Sequence, residues 1–135
     1  MKLRGTIQSG IGKGSFFTGL DWVVEQFREA MGFEPFPGTL NVRIMEEDLP
    51  IIDPFFLKKD FELIPDDPQF CAASLKKVEV NGVSSAAVFP SEDVHIHGKS
   101  IIEIITYCHL KETLHLDDGD QITITEASDE PSGKG

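Results

Sequence analysis

A glycine-rich run near the amino terminus could bind phosphate groups. Residues 10–15 read Gly-Ile-Gly-Lys-Gly-Ser. Closely spaced glycines let successive backbone N–H groups point into one concavity, where an anion can accept their hydrogen bonds. The spacing matches neither a Walker loop nor the complete dinucleotide-binding fingerprint, and a flexible connector is the commoner use of such a run. Phosphate binding and a simple connector therefore both remain open from these residues alone.

A second candidate site lies in the stretch GFEPFPGTLNV, residues 32–42. Pro35 and Pro37 fix their own φ angles and favour extended geometry in the residues before them, and Gly38 permits a turn that other residues disfavour. The stretch therefore predicts a rigid entry into a strand that begins at Thr39.

Thr39 and Asn41 would project to the same side of that strand, because side chains alternate between its two faces. A hydroxyl and an amide carbonyl are neutral hard-oxygen donors that suit a Mg²⁺ ion holding most of its ligands as water and phosphate. The alternative is a proline-braced turn in which both side chains satisfy nearby backbone groups.

Glu103 is the most informative carboxylate, because it stands within the apolar run SIIEIITY, residues 100–107. A charge among isoleucines must reach solvent or meet a partner, and a ligand pocket would supply both. His95 and His97 would share a strand face, but no third ligand stands at a suitable spacing, which favours loop histidines over a metal site. The DDGD run at 117–120 lacks the length of a calcium loop and predicts a turn.

The hydrophobic pattern predicts mostly strands. One amphipathic helix is expected at 20–31, followed by Gly32 where a helix would end. Asn81-Gly82 between two strand-like runs predicts a tight hairpin. The predicted strands are 2–9, 39–45, 60–64, 70–80, 83–89, 100–107 and 121–126, with one or two helical turns at 109–116. We expect a mainly β fold with one main helix, a small closed barrel of about six strands, as a single domain over 1–126 with a flexible acidic tail at 127–135.

Composition narrows the function classes. The 135 residues carry a net charge of −11, which argues against nucleic acid as a partner and against a DNA-binding regulatory barrel. No apolar run is long enough to cross a bilayer and no secretory pattern opens the sequence, so we expect no membrane partner and a cytoplasmic location. Cys71 and Cys108 are isolated among apolar neighbours, which indicates buried thiols. The oligomeric state stays open, a monomer included.

Three segments together resemble the archaeal CTP-dependent riboflavin kinases, which are small cradle-loop barrels of the RIFT type. They are SGIGKGSFF, GFEPFPGTLNV and SIIEIITYCHLKETLHLDDGDQITI, in matching order over roughly residues 5–126. The resemblance implies an enzyme that transfers the γ-phosphate of CTP to the 5′-hydroxyl of riboflavin, giving FMN and CDP, with Mg²⁺ as cofactor. A non-catalytic flavin- or nucleotide-binding module of the same fold is the alternative.

The resemblance also implies roles for individual residues. It places Mg²⁺ on Thr39 and Asn41 and the flavin against Glu103, and it identifies no general base. The nucleotide would contact Gly10, Ile11, Gly12, Lys13, Gly14, Ser15, Cys108, His109, Leu110 and Lys111.

The chain departs from the family pattern after Glu103. Thr106-Tyr107 stands where the family has Ala-Pro, and Leu110-Lys111 stands where it has Leu-Arg. Loss of the proline predicts a looser backbone, and lysine lacks the planar fork of arginine, so we expect a weaker preference for cytidine. A flavin-facing threonine expected within 91–99 has no counterpart; Asp93 is the nearest residue, and the role is not transferred to it.

Overall fold

The computed structural model of the protein describes residues 1–8, 18–69, 72–88 and 101–127. Within these ranges the strands are β1 Lys2–Gln8, β2 Leu40–Ile44, β3 Phe61–Leu63, β4 Ala73–Val80, β5 Val83–Val88, β6 Ile101–Thr106 and β7 Gln121–Glu126. The helices are α1 Asp21–Met31, a 3₁₀ helix Glu46–Ile51, α2 Ile52–Phe55 and α3 Leu110–Thr113. The glycine-rich run 10–15, Cys71, Asp93, His95, His97 and residues 128–135 of the predicted tail lie outside the described residues.

Six antiparallel strands close into a barrel. The sheet runs in the order β3-β4-β5-β6-β2-β1-β7, and β7 also pairs with β4. One edge of β4 is shared, because β3 pairs with residues 73–75 and β7 pairs with residues 78–80. The predicted six-stranded barrel and mainly β class are confirmed, with β3 as a seventh strand outside the closed ring.

Alternation along the strands fills the barrel with aliphatic side chains. Val42 and Ile44 of β2 and Ile102 and Ile104 of β6 are all at most 3 % exposed and belong to one core cluster. Burial of this kind stabilises a fold by about 25 cal/mol for each Å² of apolar surface removed from water. The intervening residues therefore face outward, which fixes the side of the barrel on which Asn41 and Glu103 lie.

Helix α1 packs on the outside of the barrel. Its buried residues, Val23 and Phe27, form a second cluster with side chains of β3, β4, β5 and β6, among them Ile105. The helix ends at Gly32, which adopts a φ of 85° and donates its N–H to the carbonyl of Arg28 at 2.8 Å. The predicted helix and its glycine cap are confirmed.

The Asn81-Gly82 hairpin is also confirmed. Both residues have positive φ angles, 47° and 88°, as a two-residue turn between twisted strands requires. The Asn81 side chain accepts a hydrogen bond from the N–H of Thr123 at 2.9 Å, and the Asn81 N–H donates to the Thr123 carbonyl at 3.0 Å. These two hydrogen bonds join the turn to β7, next to the β4–β7 pairing that closes the barrel.

The 3₁₀ helix and α2 form a segment that the sequence pattern did not predict. They cover the end of the barrel at which β7 finishes, where Phe55 is fully buried. The Lys76 ammonium lies 3.1 Å from the Glu126 carboxylate and 5.4 Å from the centre of the Phe55 ring. This end is closed, which leaves the opposite end, where β2 begins and β6 ends, as the place for a ligand site.

Arg4 fixes the 3₁₀ helix to β1. Its backbone N–H and its Nε donate to Asp48 Oδ2 at 2.8 and 3.0 Å, and its NH2 group donates to Oδ1 at 3.0 Å. The hydrogen bonds from the Arg4 side chain, and then the one from its backbone, hold the pKa of the Asp48 carboxyl below its ordinary value. A lowered pKa means that the folded state favours the ionised carboxylate.

Asp48→Asn is expected to lower the melting temperature at pH 7 and to flatten its dependence on acid. The stabilisation from this carboxylate is complete above its unfolded-state pKa of about 4 and is lost as the pH falls through the lower folded-state pKa. Thermal unfolding between pH 7 and pH 3 measures both effects. Glu29→Gln, which removes an exposed carboxylate on α1, is the control and should keep the wild-type profile. If the melting temperature of Asp48→Asn still falls steeply between pH 7 and pH 3, groups other than Asp48 cause that fall.

Across the described ranges, the helices are too short or too polar for any of them to cross a bilayer.

Candidate functional site

A cavity of about 260 Å³ opens at the end of the barrel where β2 begins. One wall is the segment from Phe36 to Leu40, and the other is the end of β6 with the start of α3. Its lining residues are Phe36, Pro37, Gly38, Thr39, Leu40, Ile104, Thr106, Cys108, His109, Leu110 and Lys111. Thr39 and the four residues 108–111, which are far apart in sequence, therefore meet around one cavity.

Backbone hydrogen bonds hold the proline-rich wall of the cavity. The Phe36 N–H donates to the Thr106 carbonyl at 2.7 Å, and the Gly38 N–H donates to the Thr18 hydroxyl at 2.8 Å. Gly38 has a φ of 105°, a conformation that favours glycine. The segment is therefore bound to β6 on one side and to Thr18, shortly before α1, on the other, consistent with the rigid entry expected from its prolines.

Thr106 and Tyr107, which stand where the family has Ala-Pro, both contact other elements, while the looser backbone expected there stays a prediction. The buried Thr106 donates its hydroxyl to the Ser84 carbonyl at 2.6 Å, in addition to accepting from Phe36. The Tyr107 ring packs edge-on against Phe33, with 5.0 Å between ring centres. These contacts with other elements stand where the family has the local constraint of a proline. The sequence pattern alone could not indicate them.

The other wall of the cavity is organised around α3. His109 precedes the helix, and its Nδ1 accepts a hydrogen bond from the Glu112 N–H at 3.3 Å. The His109 ring lies edge-on to Phe36 with 5.5 Å between centres, so it joins the two walls. Leu110 is buried in the barrel core. Lys111 remains at the rim, where its ammonium lies 2.8 Å from the Asp118 carboxylate.

Asn41 and Glu103 form a second pair beside this cavity. They are directly opposite each other in the β2–β6 ladder, so their side chains leave the sheet on the same face. Opposed Cβ atoms in antiparallel sheets are about 4.5–5.5 Å apart. Asn41 is also opposite Gln8, the last described residue before the glycine-rich run. The structure therefore brings the predicted metal residue and the predicted flavin residue together.

Thr39 and Asn41 do not share a strand as the sequence predicts. The strand β2 begins at Leu40, one residue later than expected, so strand alternation does not set the direction of the Thr39 side chain. Thr39 lines the cavity, whereas Asn41 and Glu103 are absent from its lining. The two candidate metal residues are nevertheless close, because Cα atoms two residues apart on an extended chain are separated by about 7 Å.

The available donors fit Mg²⁺ better than a metal with an all-protein ligand set. Within the described ranges, no group of three or more His, Cys, Asp or Glu side chains could hold a metal ion. Thr39, Asn41 and Glu103 offer a hydroxyl, an amide carbonyl and a carboxylate, all hard oxygen donors. Mg²⁺ accepts so few protein ligands because it retains water and phosphate oxygens.

Some residues of the site were missed by sequence reasoning. Phe36 could have been found, because an aromatic residue between two prolines, Pro35 and Pro37, is unusual for a simple turn. Asp118 could not have been, because the DDGD run predicts only a surface turn and the folded chain alone shows the contact with Lys111. The predicted phosphate loop, residues 10–15, lies outside the described residues, so its role stays a prediction.

Comparison with known proteins gives a consistent family assignment. A family model named CTP-dep_RFKase, described as "Domain of unknown function DUF120", matches residues 7–125. The chain is 36 % identical over 126 residues to the riboflavin kinase of Methanobrevibacter smithii, covering 92 % of this chain and 98 % of that protein. It is also 36 % identical to the riboflavin kinases of Saccharolobus solfataricus and Methanococcoides burtonii, covering 92 % of this chain and 73 % and 56 % of theirs. The chain thus spans nearly all of one relative and about half of another.

Proposed function

We propose that this chain, which belongs to the CTP-dependent riboflavin kinase family and is a kinase, acts on riboflavin. In the proposed reaction, which depends on Mg²⁺, it transfers the γ-phosphate of CTP to the 5′-hydroxyl of riboflavin. The products are FMN and CDP. The observation that best supports this proposal is the meeting of Thr39 with residues 108–111 around one cavity, beside the Asn41–Glu103 pair. The proposed substrates, riboflavin and CTP, are small molecules, and the cytoplasmic location stays a prediction.

Binding and orientation supply most of the catalysis in this proposal. Phosphoryl transfer passes through a loose transition state, so the protein's main task is to align the acceptor with the phosphate and to balance negative charge. The backbone amides of residues 10–15 and the side chain of Lys111 bind the nucleotide. Glu103 binds the flavin in this proposal, and its position opposite Asn41 supports a flavin site next to the phosphate site.

A Mg²⁺ ion held by Thr39 and Asn41 would neutralise charge on the phosphate oxygens. The chain offers the hydroxyl of Thr39 and the amide oxygen of Asn41 as its two ligands. We assign no general base, because Glu103 serves substrate binding in this proposal and a loose transition state demands little deprotonation of the acceptor.

The direct experiment incubates the protein with riboflavin, Mg²⁺ and, in separate reactions, CTP, UTP, GTP or ATP, and measures FMN by chromatography. FMN is expected with CTP above all others and is expected to disappear when EDTA removes the metal. Calorimetry on the same samples distinguishes the alternative. A protein that binds riboflavin and CTP but forms no FMN with any triphosphate is a binding module, and the kinase proposal would then be wrong.

Lys111→Arg is expected to widen the preference for CTP over UTP severalfold. Cytosine presents two adjacent hydrogen-bond acceptors, N3 and O2, which the planar fork of arginine can contact together, whereas a lysine ammonium makes a single point contact. One further hydrogen bond contributes about 1 kcal/mol of discrimination. The measurement is the ratio of kcat/KM for CTP and UTP with riboflavin saturating.

Tyr107→Pro serves as the companion variant. Because Thr106 and Tyr107 are already held by hydrogen bonds and ring packing, restoring the family's proline should leave that ratio unchanged. A ratio that changes with Tyr107→Pro and not with Lys111→Arg would place base choice in the backbone at 106–107 instead.

A further inference from the structure

The ion pair between Lys111 and Asp118 lies at the rim of the cavity and has no part in the function described so far. The Lys111 Nζ is 2.8 Å from Asp118 Oδ1, within the range of a strong charge-assisted hydrogen bond. Lys111 lines the cavity together with Thr39, and Asp118 is absent from that lining. Asp118 therefore contacts a lining residue without itself lining the cavity.

Asp118 is carried by a turn whose backbone is fixed on both sides. Within the turn, the Asp120 N–H donates to the Asp117 carbonyl at 3.0 Å, and the Asp117 N–H donates to the Asp120 carboxylate at 2.8 Å. The turn is also bound to β1, because the Gly119 N–H donates to the Ile7 carbonyl at 2.7 Å and the Ile7 N–H donates to the Asp120 carbonyl at 3.0 Å. The Asp118 carboxylate is thus presented from a rigid platform.

The backbone of Lys111 is fixed in the same region. Its carbonyl accepts a hydrogen bond from the Leu116 N–H at 2.8 Å, and its helix is anchored in the core through the buried Leu110. The freedom that remains is in the side chain. A lysine side chain has four rotatable bonds and loses rotamer entropy when it is immobilised. A partner that immobilises the ammonium in the free protein removes part of that cost from ligand binding.

We propose that Asp118 is a positioning residue, which holds the Lys111 ammonium at the cavity rim in the orientation that binds the nucleotide. This inference rests on the proposed function, since it assumes that the cavity takes a nucleoside triphosphate. Asp118 acts through Lys111 and does not itself contact the ligand. The negative charge of Asp118 also repels the phosphates, so its removal has two opposite effects on CTP binding. We expect the lost orientation of Lys111 to outweigh the relieved repulsion.

The test is a double-mutant cycle with Asp118→Asn, Lys111→Met and both together, measured by calorimetry with CTP and by steady-state kinetics. Asp118→Asn is expected to raise the Kd and the KM for CTP about three- to fivefold, the range expected for an ion pair whose side chains are 37 % and 47 % exposed, while kcat and the KM for riboflavin stay within twofold. In the Lys111→Met background the same change should have no further effect. Asp118→Glu, which retains the carboxylate, should recover most of the affinity.

Asp117→Asn is the matched control, because it removes the same charge from the same exposed turn and leaves the Lys111 contact in place. Circular dichroism and melting temperatures confirm that each variant is folded. CTP affinity that is unchanged or tighter in Asp118→Asn would overturn the inference. So would a loss of CTP affinity that Asp118→Asn still causes in the Lys111→Met background, or a loss in Asp118→Asn no larger than that in Asp117→Asn. If the wild-type protein binds no nucleotide, the proposed function fails as well; if it binds CTP and forms FMN, these outcomes concern Asp118 alone.

Discussion

Asn41→Ala is expected to lower the Mg²⁺-dependent rate of FMN formation at least tenfold without measurable loss of fold. Asn41 is half-buried on the outer face of β2, so its truncation leaves no cavity in the barrel core. It removes one of the two protein ligands proposed for the metal. A tenfold loss in rate corresponds to about 1.4 kcal/mol of transition-state stabilisation, a modest demand for a metal ligand.

The measurement is kcat and KM for CTP across a magnesium titration, with riboflavin saturating. The concentration of Mg²⁺ needed for half-maximal rate should increase together with the loss of kcat. Asn41→Asp is the control, because it retains an oxygen donor at the same position and should keep more activity than the alanine variant. Kinetics that remain unchanged across the titration in Asn41→Ala would remove Asn41 from the metal site.

Gly5→Ala is expected to have the largest effect on stability, lowering the free energy of unfolding by about 1–3 kcal/mol. A Cβ at this position would lie 2.6 Å from the Arg43 carbonyl oxygen and 2.6 Å from Val42 Cγ1. One of these atoms belongs to the β2 backbone, which cannot move without disturbing the ladder. Elsewhere in a strand, replacing glycine by alanine would be favourable by about 0.5–1 kcal/mol, so here the steric cost exceeds the gain in chain entropy.

Urea unfolding of Gly5→Ala and the wild type measures this difference. Thr6→Ala, on the opposite face of the same strand, is the control and should cost much less. Because β1 and β2 pair through Gly5 and Ile44 and also through Gln8 and Asn41, the same variant should reduce activity when it remains folded. Stability equal to or above that of the wild type would show that β1 can move away from β2 without cost.

Local signals in the sequence were sufficient for the parts of the fold that local chemistry decides. Asn81-Gly82 determines its turn because both residues tolerate positive φ, and Gly32 ends α1 for the same reason. The period of residues 100–107 is ambiguous, and their β-branched content was enough to predict β6. The number of predicted strands beside one main helix indicated a small closed barrel. For the turn, the helix end and β6, the deciding interaction lies within a few residues.

Features decided by tertiary contacts were not predictable in this way. The 3₁₀ helix and α2 contain Pro50 and Pro54 and have no helical periodicity, yet they form because Phe55 fills one end of the barrel. The contacts of Thr106 and Tyr107 replace a missing proline with partners from other elements. The pairing of Lys111 with Asp118 likewise depends on where α3 and the following turn lie on the finished barrel.

The most direct test of the proposed kinase activity is transfer of a labelled γ-phosphate. The protein is incubated with riboflavin, Mg²⁺ and CTP labelled at the γ-position, and the flavins are separated by chromatography. We expect label in FMN in amounts equal to the CDP formed, no label in the presence of EDTA, and at least tenfold less label with Asn41→Ala. Binding of CTP and riboflavin without labelled FMN, or label in FMN that does not depend on Mg²⁺ or on Asn41, would contradict it.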